Sequence, residues 1–242
     1  MIKASEIKKI VNEYTDVRIG VLGSHSALEI MDGAKDEEIQ TVVLCQKGRE
    51  IPYKRFNRIA DEIIILKKFK DMVSPKIQKD LRDTNTIIIP HRSLTAYLGY
   101  KSIENSFKVP IFGNRTLFQA EERSHKKNQY YLLEKAGIKH PRLFKNPKNI
   151  TKPAIVKVQE KKRKLERAFF TVSSFKDYKE KAEQKIKQGI ISKKDLENAS
   201  IEELSIGTYM NFNYFYTPIS DNVDFIGIER RLQTNLYDYN SL

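Results

Sequence analysis

Val17-Arg18-Ile19-Gly20-Val21-Leu22-Gly23-Ser24-His25-Ser26 is the stretch whose reading decides the fold. Its first half is a short apolar and β-branched run, suited to a strand buried on both faces. Its second half changes to glycine and hydroxyl residues, which suit a tight turn into a helix. Strand, turn and helix start within ten residues make the opening of a β-α-β unit, and the pattern recurs along the first 115 residues. Strands are expected at residues 17–22, 41–45, 62–66, 86–90 and 109–112. One intervening helix begins at Ser24, and another is marked by Ser74 at the N-cap with Pro75 at the first helical position. The opening segment also reads as a helix, because Ile7, Ile10, Val11 and Tyr14 follow helical spacing. Strands alternating with helices predict a parallel sheet with crossover helices.

Beyond residue 120 the pattern changes. A helix over 121–136 is closed by Gly137 as a left-handed cap, and prolines follow at Pro141 and Pro147. Strands are then expected at 154–158 and 169–172, helices at 174–188 and 192–198, and strand-like runs at 201–206, 208–216 and 223–231. Grouped strands and helices of this kind predict an α+β unit. The chain is therefore read as α/β in class with two domains, a parallel-sheet domain over 1–120 and an α+β domain over 121–242. In the run 208–216, alternation puts Asn211 and Asn213 on one face and Met210, Phe212 and Tyr214 on the other, so one face is expected to pack.

Composition narrows the function. The 242 residues are 40% hydrophobic, enough to bury a core. Cys45 is the single cysteine, so no intrachain disulfide forms, and a reducing, cytoplasmic compartment is expected. No apolar run approaches the roughly 20 residues that span a bilayer. The amino terminus turns charged at once, unlike a secretory leader. A net charge of +13 favours anionic partners. The basic residues are spread along the chain without a helix-turn-helix, zinc-finger or RNA-recognition motif, so the expected partner is an anionic small molecule and neither nucleic acid nor membrane.

An open parallel sheet binds ligands beyond the carboxyl ends of its strands, where helix starts and turns present N–H groups. Those ends carry Gly23-Ser24-His25-Ser26, Lys47-Gly48-Arg49, His91-Arg92-Ser93 and Gly113-Asn114-Arg115. Taken singly, each has a plain structural reading as a turn, a cap or a solvated charge. Their coincidence on one sheet edge is what points to a phosphate-bearing ligand. In the second half, Lys157 is the lone cation within Ala154-Ile155-Val156-Lys157-Val158, and such a lysine either snorkels to solvent or reaches a phosphate.

These segments, with Pro52-Tyr53-Lys54-Arg55-Phe56, Ile201-Glu202-Glu203, Gly207-Thr208, Tyr214-Phe215-Tyr216, Arg230-Arg231 and Asn235, occur in the order found in the archaeal formate-dependent phosphoribosylaminoimidazolecarboxamide ligases. The chain resembles that family over almost its whole length. The resemblance implies an ATP-grasp fold preceded by a small α/β domain, and an ATP- and Mg2+-dependent ligase of purine (IMP) biosynthesis. Its substrates would be formate and aminoimidazole carboxamide ribotide, joined through a formyl phosphate intermediate, and the family further suggests homo-oligomers. It implies that His25, Ser26, Ser93 and Arg115 contact the ribotide, with Asn235 closing over it. Lys157, Glu202, Glu203, Leu204, Glu229 and Arg230 would serve ATP, the strand at 202–204 through backbone groups. No catalytic residue is assigned.

Two departures from the family bear on activity. Gln159-Glu160-Lys161-Lys162-Arg163-Lys164-Leu165-Glu166-Arg167 stands where the family has a glycine-rich loop, so phosphate would meet side chains there in place of open backbone. Arg92 stands where the family tends to have glycine. The family also continues by about a further domain beyond the position of Leu242, and its acidic metal ligands lie in that part. No metal ligand is therefore expected within these residues. The alternative reading is a relative that binds ribotide or nucleotide with impaired catalysis.

Overall fold

The computed structural model describes residues 1–122, 125–158, 169–217 and 220–234. It divides into two compact units, Met1–Glu122 and Arg123–Leu242.

The first unit is built on four parallel strands, β1 (Arg18–Leu22), β2 (Thr41–Gln46), β3 (Glu62–Leu66) and β4 (Thr86–Ile88), in the order β3-β2-β1-β4. The expected fifth strand is reduced to a single bridge, Ile88 to Ile111. Pro110 lends its carbonyl to the Ile88 N–H, but proline has no N–H to extend a ladder, and Gly113 at φ 82 turns the chain away two residues beyond Ile111.

Side-chain alternation divides the core between the two sheet faces. Leu22, Val42, Leu44 and Ile88 face one layer, with Leu81 of α4 (Pro75–Asp83), Leu94 and Leu98 of α5 (Arg92–Leu98) and Ile103 of α6 (Tyr100–Asn105). Val21, Val43 and Cys45 face the other, against Ala27 and Met31 of α2 (Ala27–Asp36) and Tyr53 of α3 (Ile51–Arg55). The opening helix, α1 (Ala4–Asn12), forms where the heptad-like spacing puts it. Ser74 and Pro75 begin α4 as expected, although the Ser74 side chain makes no cap bond. Among the described residues no helix is long and apolar enough to cross a membrane.

The second unit holds a three-stranded antiparallel sheet in the order β6-β5-β7, from β5 (Ala154–Lys157), β6 (Phe169–Val172) and β7 (Ser200–Glu203). Its core joins Val156, Phe170, Val172 and Ile201 to Ala182 of α8 (Phe175–Lys187) and to Ile191 before α9 (Lys193–Glu197). The helix expected over 121–136 is shorter. A 3-10 turn spans Phe118–Glu121, α7 covers Gln129–Lys135 from an Asn128 cap, and Gly137 takes the left-handed conformation at φ 66.

β8 (Thr208–Thr217) and β9 (Asn222–Thr234) pair as a hairpin. Contrary to the expectation that one face packs, Met210, Phe212 and Tyr214 are exposed. Register shifts interrupt the ladder at Thr208/Met210 and Asn213/Tyr214, and among the described residues both faces of the hairpin carry exposed side chains.

Candidate functional site

The chain runs from β1 outward to β2 and β3, then returns to lay β4 on the other side of β1. The carboxyl ends of β1 and β4 are therefore the topological switch point, where diverging crossovers open a crevice in a parallel sheet. Both strand ends carry polar residues.

After β1, Gly23 donates its N–H to Leu44 O at 2.8 Å and continues the ladder one step past the strand. A side chain could not follow it there: a Cβ on Gly23 would lie 2.8 Å from Cys45 Sγ and 3.1 Å from Leu44 O. Ser24 N–H turns back onto Leu22 O at 2.7 Å, and His25 then takes a left-handed φ of 46. Non-glycine residues rarely hold that conformation outside turns and functional sites. This residue also stops the helix from starting at Ser24 as expected; α2 begins at Ala27 with Ser26 at its N-cap.

After β4, His91 caps α5 by accepting the Ser93 N–H on Nδ1 at 3.3 Å. Its other nitrogen, Nε2, lies 2.8 Å from Leu22 O. Ser93 Oγ reaches Ser24 Oγ at 3.3 Å, and His25 Nδ1 meets Ser26 Oγ at 2.6 Å. The two imidazoles lie nearly parallel, 5.9 Å between centroids and 18° between planes. Burial pushes the His91 pKa below its usual value; the bond to Leu22 O opposes this and the neighbouring His25 adds to it. His25 is exposed, while Ser24, Ser26, His91 and Ser93 are half-buried. Thus two loops far apart in sequence converge as a polar rim with one exposed imidazole.

Of the expected ribotide contacts, His25, Ser26 and Ser93 fall in this cluster. Arg115 is spent differently. Its half-buried guanidinium donates to Ile103 O at 3.0 Å, Phe107 O at 2.6 Å and Val109 O at 3.0 Å, so it ties α6 to the chain leading into the Ile111 bridge. Asn235 lies outside the described residues. Ser24 and His91 complete the cluster although neither was among the expected ribotide contacts. The available signal was the pairing of Ser-His-Ser after one strand with His-Arg-Ser after another. Beyond β2, Arg49 donates to Tyr97 Oη on α5 at 3.1 Å and lies over the Phe69 ring at 5.7 Å.

A cavity of about 560 Å3 opens at the opposite, amino-terminal ends of β1 and β4, lined by Asp16, Arg18, Glu38, Thr84 and Asn85. Its mixed charges, with Arg18 already paired to Glu62 at 2.8 Å, fit an anionic ligand less well than the strand tips do.

In the second unit, Lys157 does not snorkel to solvent. Its ammonium pairs with the Glu202 carboxylate, whose side chain is 3% exposed, and Ser200 Oγ donates to the same carboxylate at 3.1 Å. Glu203 N–H donates to Arg142 O at 2.8 Å and Leu204 N–H to Pro153 O at 2.8 Å, so both of these amides are held by neighbouring backbone. On the hairpin, Glu229 accepts from Asn211 Nδ2 at 2.8 Å, and Arg230 is exposed. The segment 159–167 lies outside the described residues. Among the described residues, no group of three or more His, Cys, Asp or Glu side chains is placed to hold a metal ion.

Comparison with known proteins gives a consistent set of relatives. The family described as "Protein of unknown function (DUF1246)" matches residues 19–144, and "Domain of unknown function (DUF1297)" matches residues 177–242. The chain is 43% identical over 239 residues to a Methanopyrus kandleri protein named 5-formaminoimidazole-4-carboxamide-1-(beta)-D-ribofuranosyl 5'-monophosphate synthetase, covering 98% of this chain and 65% of the relative. A Methanocaldococcus jannaschii protein of the same name is 39% identical, with 98% and 64% covered. The chain thus spans slightly less than two thirds of the length of these curated relatives.

Among solved structures, an IMP biosynthesis protein PurP from Thermococcus kodakaraensis aligns at TM-score 0.62 and 22% identity, covering 92% of this chain and 61% of the other. An N5-carboxyaminoimidazole synthase from Aspergillus clavatus aligns at TM-score 0.60 and 16% identity, covering 93% and 60%. At such identities the likeness speaks for the fold, which is that of the ATP-grasp proteins.

Proposed function

This chain belongs to the DUF1246 family, and we propose that it acts as an ATP-dependent carbon–nitrogen ligase of purine biosynthesis, formylating aminoimidazole carboxamide ribotide with formate. The observation that carries the reading is the meeting of Ser24, His25, Ser26, His91 and Ser93 at the switch point of a parallel sheet. The names of the archaeal relatives support the same substrate.

In this reading ATP phosphorylates formate, giving formyl phosphate and ADP. The ribotide amine then attacks the formyl carbon and expels phosphate. The protein contributes orientation and charge neutralisation more than covalent chemistry. His25 has Nδ1 turned to Ser26 Oγ, which leaves Nε2 for the ribotide, and the Ser24 hydroxyl, which accepts from Ser93 Oγ, supplies a donor beside it. Arg115, with three N–H groups on backbone carbonyls, is read as shaping the crevice wall rather than gripping the ligand. Lys157 would exchange its bond to Glu202 for an ATP phosphate. Glu203, Leu204, Glu229 and Arg230 keep their proposed place around the nucleotide, although the Glu203 and Leu204 amides must act through groups other than their N–H. Magnesium, if it takes part, would be held by nucleotide phosphates with few protein carboxylates, since no group of three or more His, Cys, Asp or Glu side chains gathers among the described residues.

Isothermal calorimetry with the ribotide alone tests the part that carries the reading. Binding is expected, with His25→Ala and Ser93→Ala weakening the ribotide at least tenfold and ATP little; absence of ribotide binding would overturn the assignment. ADP release that requires both formate and ribotide tests the chemistry. Ribotide binding without that release would favour a binding relative.

A further inference from the structure

His91 has no nitrogen left for a ligand. A carbonyl only accepts, so the 2.8 Å contact to Leu22 O requires hydrogen on His91 Nε2. A backbone N–H only donates, so the 3.3 Å contact from Ser93 requires Nδ1 to be bare. The tautomer follows from geometry, and both ring atoms are committed within the protein. Leu22 O accepts the Ser24 N–H at 2.7 Å as well, so His91 grips the peptide at which the chain leaves β1. One residue after Ser24 comes His25 in its left-handed conformation, its ring nearly parallel to that of His91 with 5.9 Å between centroids. The imidazole therefore acts as a clamp on the loop and as a near-parallel neighbour of the His25 ring.

We propose that His91 is a positioning residue: through the Leu22 carbonyl and its own ring face, it holds the Ser24–His25 turn in the geometry that receives the ligand, and makes no ligand hydrogen bond itself. The part concerning ligand rests on the ribotide reading above; the part concerning the loop does not. Burial, which disfavours a charged His91, agrees with its keeping the neutral form in which one ring nitrogen donates and the other accepts.

Two substitutions separate the clamp from the helix cap. In His91→Asn, an amide oxygen replaces Nδ1 and keeps the cap, a position asparagine favours, but the reach to Leu22 O and the ring face are lost. In His91→Gln, an amide N–H replaces Nε2 and keeps the clamp. In the free 242-residue protein, nitrogen-15 correlation spectra should give His91 as the Nε2–H tautomer, and His91→Asn should move the His25 ring resonances while His91→Gln moves them less. An Nδ1–H tautomer, or an unmoved His25 signal in His91→Asn, would overturn the proposal whether or not any ligand binds.

With aminoimidazole carboxamide ribotide as probe, His91→Asn should weaken binding about tenfold or more, and His91→Gln should recover most of that loss. The double variant His25→Ala/His91→Asn should lose clearly less than the sum of the two single losses, since His91 acts through the turn that carries His25. Losses that add, or His91→Asn binding as well as the unsubstituted protein, would contradict it. If the unsubstituted protein binds no ribotide while the spectra behave as stated, the substrate reading fails and the clamp stands.

Discussion

Adding one methyl group at Gly23 tests how closely the site loop is fitted to the sheet. The new Cβ would meet Cys45 Sγ at 2.8 Å, Leu44 O at 3.1 Å and Tyr53 Cε2 at 3.1 Å. Cys45 and Leu44 are fully buried strand residues and Tyr53 is 6% exposed, so none of the three is a mobile side-chain end. Overpacking of this kind costs about 1–3 kcal/mol, while restricting the unfolded chain returns about 0.4–1 kcal/mol. Gly23→Ala should therefore lower stability by about 1–2 kcal/mol, read by urea unfolding of the transition that reports the first unit. The displaced loop should also weaken ribotide binding about tenfold or more. Cys45→Ala removes the nearest obstacle, so Gly23→Ala/Cys45→Ala should lose about 1 kcal/mol less than the sum of the single losses. Additive losses, or a Gly23→Ala protein as stable as the parent, would refute the claim that this turn is sterically locked.

Other consequences follow from particular contacts. Arg115→Met should cost about 3 kcal/mol or more in urea unfolding, because three carbonyls lose a charged donor, and Arg115→Lys should recover less than half of that, a single ammonium being unable to match the three-way geometry. Glu202→Gln or Lys157→Met should each destabilise the second unit by about 3–5 kcal/mol by leaving a desolvated partner, with Lys157→Met/Glu202→Leu recovering most of the loss. Burial pushes the Cys45 thiol up to about 12, so thiol reagents at pH 8 should modify it no faster than the first unit unfolds. Because the folded His91 pKa lies below its unfolded value of 6.5, the unfolded chain binds the proton first. Stability should therefore fall as pH drops from about 6.5 toward the depressed value, and His91→Gln should remove that share of the loss.

The parallel sheet was legible because its strands are apolar on both faces, and 62–66 was read to the residue. The site edge was legible for a related reason: the residues after each strand change character abruptly, from Leu22 to Gly23-Ser24 and from Pro90 to His91. What sequence could not give was the partner of each donor. Arg115 looks like another strand-tip cation until its three carbonyls are in view, and Lys157 looks solvated until Glu202 is placed beside it. Those pairings span 6 to 45 residues, and local pattern carries no information about them. The extent of the fifth strand failed through Pro110, and the start of α2 through the backbone of His25, a conformation no propensity would assign. The bare face of the β8–β9 hairpin was misjudged because alternation marks two faces without saying what covers either.

The protein has four histidines, and only His25 and His91 belong to the first unit, whereas His125 and His140 belong to the second. Proton–carbon spectra of the imidazole rings during titration with aminoimidazole carboxamide ribotide therefore report on the site directly. Saturable shifts at His25 and His91, with His125 and His140 unmoved, are the predicted result. Shifts confined to His125 or His140, or no shift at His25 at saturating ribotide, would contradict the assignment of the β1–β4 switch point as the place where the ligand binds.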